Sequence, residues 1–153
     1  MPDLLIPLYG EGGVIAWDTA EPVDGVSVRR ALAYERQPVL GWVEQGFGAG
    51  WAGEVAVALD VQPSTCFLAV RGPDLAGFSC YDTTYRGFFG PLGVGEADRG
   101  RGVGRALLVA TLQAMWHTGY AYAVVGDSGA TGFYERVVGA WQIPGSSPGP
   151  YPP

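Results

Sequence analysis

The 153-residue chain has no lysine, one histidine, two cysteines and no long apolar run. Each shortage removes a class of function. A nucleotide loop of the Gly-x4-Gly-Lys-Ser/Thr kind cannot be built without lysine. One histidine and two cysteines leave no set of zinc ligands, so no metal is expected. Cys66 and Cys80 lack the flanking base that a thiol nucleophile needs. Both fall in expected strands of one hairpin, facing each other if Arg71 pairs with Leu75, where they read as small buried apolar side chains. A bilayer span takes roughly 18 apolar residues in a row, and none is found. No basic stretch followed by an apolar one opens the sequence, so no signal peptide is expected. The expectation is a cytoplasmic protein with reduced thiols and no membrane partner. Cationic side chains are also scarce: nine, all arginine, stand against fifteen acids, for a net charge of −6. That balance disfavours nucleic acid and mildly favours a cationic partner such as an amine.

Three of the nine arginines crowd one turn, Arg99-Gly100-Arg101-Gly102-Val103-Gly104-Arg105. An apolar extended run, Gly87 to Val94, precedes it, and a helical run from Val103 to about His117 follows. A glycine turn that opens a helix leaves backbone N–H groups unpaired at the positive end of the helix dipole. Such a place binds phosphate or diphosphate, and arginine forks suit the same oxygens. The dinucleotide fingerprint Gly-x-Gly-x-x-Gly fails here, because its third glycine would fall at Arg105 or Leu107. The pattern Arg99-x-x-Gly102-x-Gly104 before an apolar helix is met.

With two further segments, this turn carries a resemblance. The first is the preceding strand Gly90-Pro91-Leu92-Gly93-Val94. The second is Asp127-x-x-Ala130-x-x-Phe133-Tyr134-Glu135-x-x-x-Gly139. Together they resemble the GNAT superfamily of acetyl-CoA-dependent N-acetyltransferases over roughly residues 26 to 147. Asp127 stands where that family usually has Asn, and Gly139 is displaced by one residue. The resemblance implies acetyl-CoA as cosubstrate, no metal, a small-molecule or peptide amine as acceptor, and a possible homodimer. It also implies that residues 99 to 105, with Leu92, Val94, Asp127 and Tyr134, bind the cofactor.

Along the chain, Leu4–Tyr9 and Val14–Trp17 read as a hairpin across Gly10–Gly13, an extension over residues 1–22. Residues 26–143 form the core of one domain and residues 144–153 a Pro/Gly-rich tail without regular structure. The elements run strand (26–31), helix (38–46), helix (50–59), strands (65–71, 75–82 and 86–96), helix (103–117), strand (120–125), helix (132–138) and strand (141–143). That order indicates one α/β domain with a central mixed, mostly antiparallel sheet flanked by helices. The family closes its sheet with one more strand than this chain supplies. The N-terminal hairpin or a second chain is expected to cover the edge at Trp141.

Amine acetylation needs a fixed donor for charge developing on the carbonyl oxygen and a proton for the leaving sulfur. By the resemblance, the Val94 amide is the donor, with Gly93 beside it allowing close approach, and Tyr134 is the acid. Candidate bases are Asp82, Glu96, Glu54 and Glu44, or a water chain in their place. His117 lies roughly 20 Å of helix away from the turn and is set aside. Trp42, Phe47, Trp51, Tyr81, Tyr85 and Phe88 are candidate walls of the acceptor pocket, and Tyr81–Tyr85 is its most polar border. The alternative function is a non-catalytic acyl-CoA-binding or regulatory domain of the same fold.

Overall fold

Side-chain alternation and glycine punctuation divide the described residues into seven strands and four helices. The computed structural model describes residues 1–13 and 23–152. The strands are β1 (Leu4–Pro7), β2 (Ser27–Arg30), β3 (Cys66–Arg71), β4 (Asp74–Tyr81), β5 (Phe88–Val94), β6 (Tyr122–Val125) and β7 (Trp141–Gln142). The helices are α1 (Arg36–Phe47), α2 (Ala49–Leu59), α3 (Val103–Thr118) and α4 (Thr131–Val138). One mixed sheet runs β2-β3-β4-β5-β6-β1-β7. Every neighbouring pair is antiparallel except β5 with β6. A parallel pair needs a long crossover, and α3 supplies it.

Helices cover both faces of the sheet. Leu108, Leu112 and Met115 of α3 meet Leu4, Ile6, Phe89 and Val125 in one apolar cluster, which Tyr134 and Val138 of α4 join. Val39 and Val43 of α1, with Val55 and Ala58 of α2, pack on Leu68, Phe78, Cys66 and Cys80 in another. β4 is buried on both faces: Phe78 faces the second cluster, and Ser79 reaches toward α3 to meet the Thr111 hydroxyl at 2.6 Å. At about 25 cal/mol per Å² of apolar area removed from water, these faces supply most of the force that holds the sheet.

Several expectations need correction. The first arm of the expected N-terminal hairpin is a strand, and its place is inside the sheet. β1 lies within the sheet, pairing Leu4 with Val125 on one side and with Gln142 on the other. The expected second arm, Val14–Trp17, lies outside the described residues. β1 thus covers one edge of β7, the one facing β6. Among the described residues no strand pairs with the outer edge of β7, where Trp141 is 62% exposed. β6 begins at Tyr122 and is half-buried, with Tyr122 outside.

Cys66 does face Cys80, by a different route. Arg71 pairs with Asp74 and Val70 with Leu75, and an irregularity at Ala69/Val70 restores the register. Both thiols are free, and burial pushes the Cys80 thiol well up, which keeps it protonated and inert.

Candidate active site

The site begins with a fault in the sheet. Leu92 of β5 pairs with Ser79, but Phe89 pairs with Tyr81, so three steps on β5 oppose two on β4. The extra residue falls at Gly90-Pro91. Pro91 has no N–H to offer the ladder, which suits a bulge and not a regular strand. On its other side β5 pairs with β6 only at Phe88 and Phe89, and beyond that the strands separate. Gly95 donates to the Ala76 carbonyl of β4 at 2.8 Å. Amide direction alternates along a strand, so the Leu92 and Val94 amides point away from β4, into the opened gap.

The arginine–glycine turn lies just downstream. Gly102 precedes α3 at φ 88° and Gly100 sits at φ 75°, both left-handed positions that favour glycine. None of the amides from Gly100 to Arg105 donates a well-aligned hydrogen bond to any described residue. This is the unpaired donor set a diphosphate needs, so the residues present fit coenzyme A. Arg99 is half committed, its Nε donating to the Val94 carbonyl at 3.1 Å. That bond ties the turn to the end of β5. No ion pair engages Arg101 or Arg105 among the described residues.

Between the separated strands opens a cleft of about 720 Å³. Phe89 to Leu92 form one side and Val125 to Ala130 the other, with Tyr134 of α4 behind. Trp51 and Glu54 of α2, Thr84 and Tyr151 complete the rim. The Tyr134 ring is buried, its hydroxyl has no partner among the described residues, and burial raises its pKa well above the usual phenol value. Glu54 is half-buried. Its Oε1 accepts from the Thr84 hydroxyl at 2.5 Å and from the Tyr151 hydroxyl at 3.2 Å. Burial lifts the Tyr151 phenol, and the Glu54 charge adds to the rise. Asp127 stands on the rim at φ 45°; its carboxylate meets the Met1 ammonium at 3.1 Å, and its amide donates to Asp3.

The structure therefore brings together Leu92, Asp127, Tyr134 and Glu54 of the sequence candidates, with the Val94 amide aimed at the same gap. The other acids lie elsewhere. Asp82 accepts from the Gly87 amide and the Tyr120 hydroxyl, each at 2.8 Å, and borders a separate hollow with Arg30 and Arg86. Glu96 borders a hollow beside Trp42 and Arg99, while Glu44 and His117 are exposed on their helices.

Of the candidate walls, only Trp51 lines the cleft. Trp42 and Phe47 pack with Phe78, Tyr81 belongs to the hollow of Asp82, and Tyr85 stacks edgewise on Phe88. Gly93 has a different reason from the one expected. A Cβ there would come within 2.6 Å of Phe78 and 2.8 Å of Phe47, so this glycine admits an aromatic cluster, not a ligand. Sequence reading missed Tyr151. The tail has no regular element, yet Pro150 packs on Gly126 and brings Tyr151 to Glu54. No local pattern marks such a contact.

The acetyltransferase (GNAT) family model matches residues 33–140. No curated protein matches the chain. Among solved structures, a glucosamine N-acetyltransferase region in a fungal multi-domain β-N-acetylglucosaminidase superposes with a TM-score of 0.67 at 13% identity, covering 92% of this chain and 20% of that one. A GCN5-related N-acetyltransferase from Sphaerobacter thermophilus gives 0.64 at 19% identity, covering 93% and 48%. A Mycobacterium tuberculosis protein in complex with CoA gives 0.55 at 18%, covering 72% and 69%. At these identities the likeness is one of fold, and this chain spans half or less of the first two proteins.

Proposed function

The chain belongs to the GNAT acetyltransferase family, and from that premise we propose that it is an N-acetyltransferase acting on a primary amine by direct attack in a ternary complex. One observation carries the reading. The unpaired amides of residues 100–105 and the gap beside β5 lie on one continuous stretch of chain, joined by the Arg99–Val94 bond. A diphosphate held at the first would direct an extended ligand along the second.

Acetyl-CoA supplies the acetyl thioester. The amides of Gly100 to Arg105, with Arg99, Arg101 and Arg105, hold the diphosphate end. The Val94 amide donates to the acetyl oxygen, and Leu92 lines the path. Such a preplaced donor is worth roughly 3 kcal/mol in acyl transfers. The amine nitrogen bonds to the acetyl carbon as the carbon–sulfur bond breaks, and its proton leaves to water in the open cleft. Tyr134 Oη gives its proton to the sulfur. The raised pKa keeps this phenol protonated through the neutral range, as an acid must be before it acts.

Thermal melting with acetyl-CoA, ATP and NAD, followed by thiol release with a panel of amines, tests the reading. Acetyl-CoA at 100 times its Kd should add about 2.7 kcal/mol of stability, and ATP and NAD much less. Equal stabilisation by ATP or NAD would overturn it. Binding without transfer to any amine would leave a non-catalytic acyl-CoA-binding domain.

A further inference from the structure

The charge on the cleft is one-sided. Among its described lining residues there is no arginine, lysine or histidine, and the two charged groups are the carboxylates of Glu54 and Asp127. Asp127 already has the Met1 ammonium at 3.1 Å. No cation pairs with Glu54 among the described residues. Both its hydroxyl donors fall on Oε1, and Oε2 has no partner among the described residues. A half-buried carboxylate fixed through one oxygen, with the other bare, is arranged to receive a charged donor. Two aromatic residues line the same cleft. Trp51, three residues before Glu54 on α2, has one face stacked on Phe47 at 5.3 Å, and Tyr151 reaches the carboxylate from the tail with its hydroxyl at 3.2 Å. Aromatic rings beside a carboxylate suit an ammonium group.

Resting on the acetyltransferase reading, we propose that Glu54 Oε2 binds a second ammonium of the acceptor, remote from the one acetylated, so that the substrate is an aliphatic diamine. Glu54 is then a specificity residue. An acceptor carrying carboxylate or phosphate would meet Glu54 with no compensating cation and would be disfavoured. Tyr151 holds the carboxylate in place and brings the tail into the substrate site. The reacting nitrogen loses its proton to water and gains the acetyl carbon; the distant ammonium keeps all its protons throughout.

The test compares acetylation of tetramethylenediamine, n-butylamine, γ-aminobutyrate and glucosamine by kcat/KM, for the unaltered protein and for Glu54→Gln. The diamine should exceed the monoamine by at least about tenfold, with γ-aminobutyrate slowest. Glu54→Gln should shrink the diamine-to-monoamine ratio toward one, mainly through KM. Tyr151→Phe, which keeps the ring and loses only the hydroxyl, should move the ratio the same way by less. Glu54→Gln lowering both amines equally, through kcat, would make Glu54 a general base and overturn the proposal. Glucosamine or γ-aminobutyrate leading the series would also overturn it while leaving acetyl transfer intact. Transfer to no amine would remove the proposal together with the reading beneath it.

Discussion

Tyr134 shows how much one side chain's setting decides. Its ring joins the apolar cluster of α3 and β1, while its hydroxyl, on the cleft, has no partner among the described residues. A tyrosine kept only to anchor the core would spend its hydroxyl on a carbonyl. Tyr134→Phe should therefore lower kcat by about a hundredfold and leave the Kd for acetyl-CoA within about twofold. Since no hydrogen bond is lost, the melting temperature should hardly move. Steady-state kinetics and calorimetric titration on the same preparation check this; an unchanged kcat would remove the residue from the mechanism. Tyr134 and the glycine turn were legible in the sequence because their spacing is local. Glu54 was legible only as one of four acids. What separates it from Asp82 is the neighbour each meets across the fold, Tyr151 for one and Tyr120 for the other.

Elements were readable where periodicity is strong and hidden where pairing is distant. α3 follows directly from Leu107, Leu108, Leu112 and Met115, and its glycine ends mark its limits to within one residue. β1 reads as a strand, but its neighbours in the sheet were hidden, because nothing in Leu4–Pro7 names a partner more than a hundred residues away. Its burial tells the rest. Leu4 and Ile6 are fully buried against α3 and β6. Ile6→Ala should cost about 2–5 kcal/mol in urea unfolding, the range of a core truncation and well above that of a surface hairpin. A loss below about 1 kcal/mol would show that β1 is peripheral to the sheet.

Stability of the whole molecule has an acid-sensitive part outside the site. Glu35 accepts two bonds from Arg29, at 2.8 and 2.9 Å, and one from the Leu32 amide, joining β2 to the start of α1. The Arg29 hydrogen bonds hold the Glu35 carboxyl below the usual carboxylate range, against an opposing effect of burial. A lowered folded-state value means stability that is present above the unfolded pKa and lost as pH falls through the folded one. Melting temperatures of the unaltered protein and Glu35→Gln should differ at about pH 6 and converge as pH falls through and below the usual carboxylate range. The difference stays under about 1 kcal/mol, because Arg29 is partly exposed and the pair is screened. A gap that widens in acid would contradict this assignment.

The placing of β1 also orders events in time. Leu4 and Leu5 lie between Val124–Val125 and Trp141–Gln142, and the Ile143 amide donates to the Asp3 carbonyl at 2.8 Å. A ribosome makes β1 more than a hundred residues before either of these partners. Until those partners emerge the nascent polypeptide carries an apolar strand with nowhere to dock, so closing this sheet waits on a pairing between segments far apart in chain order.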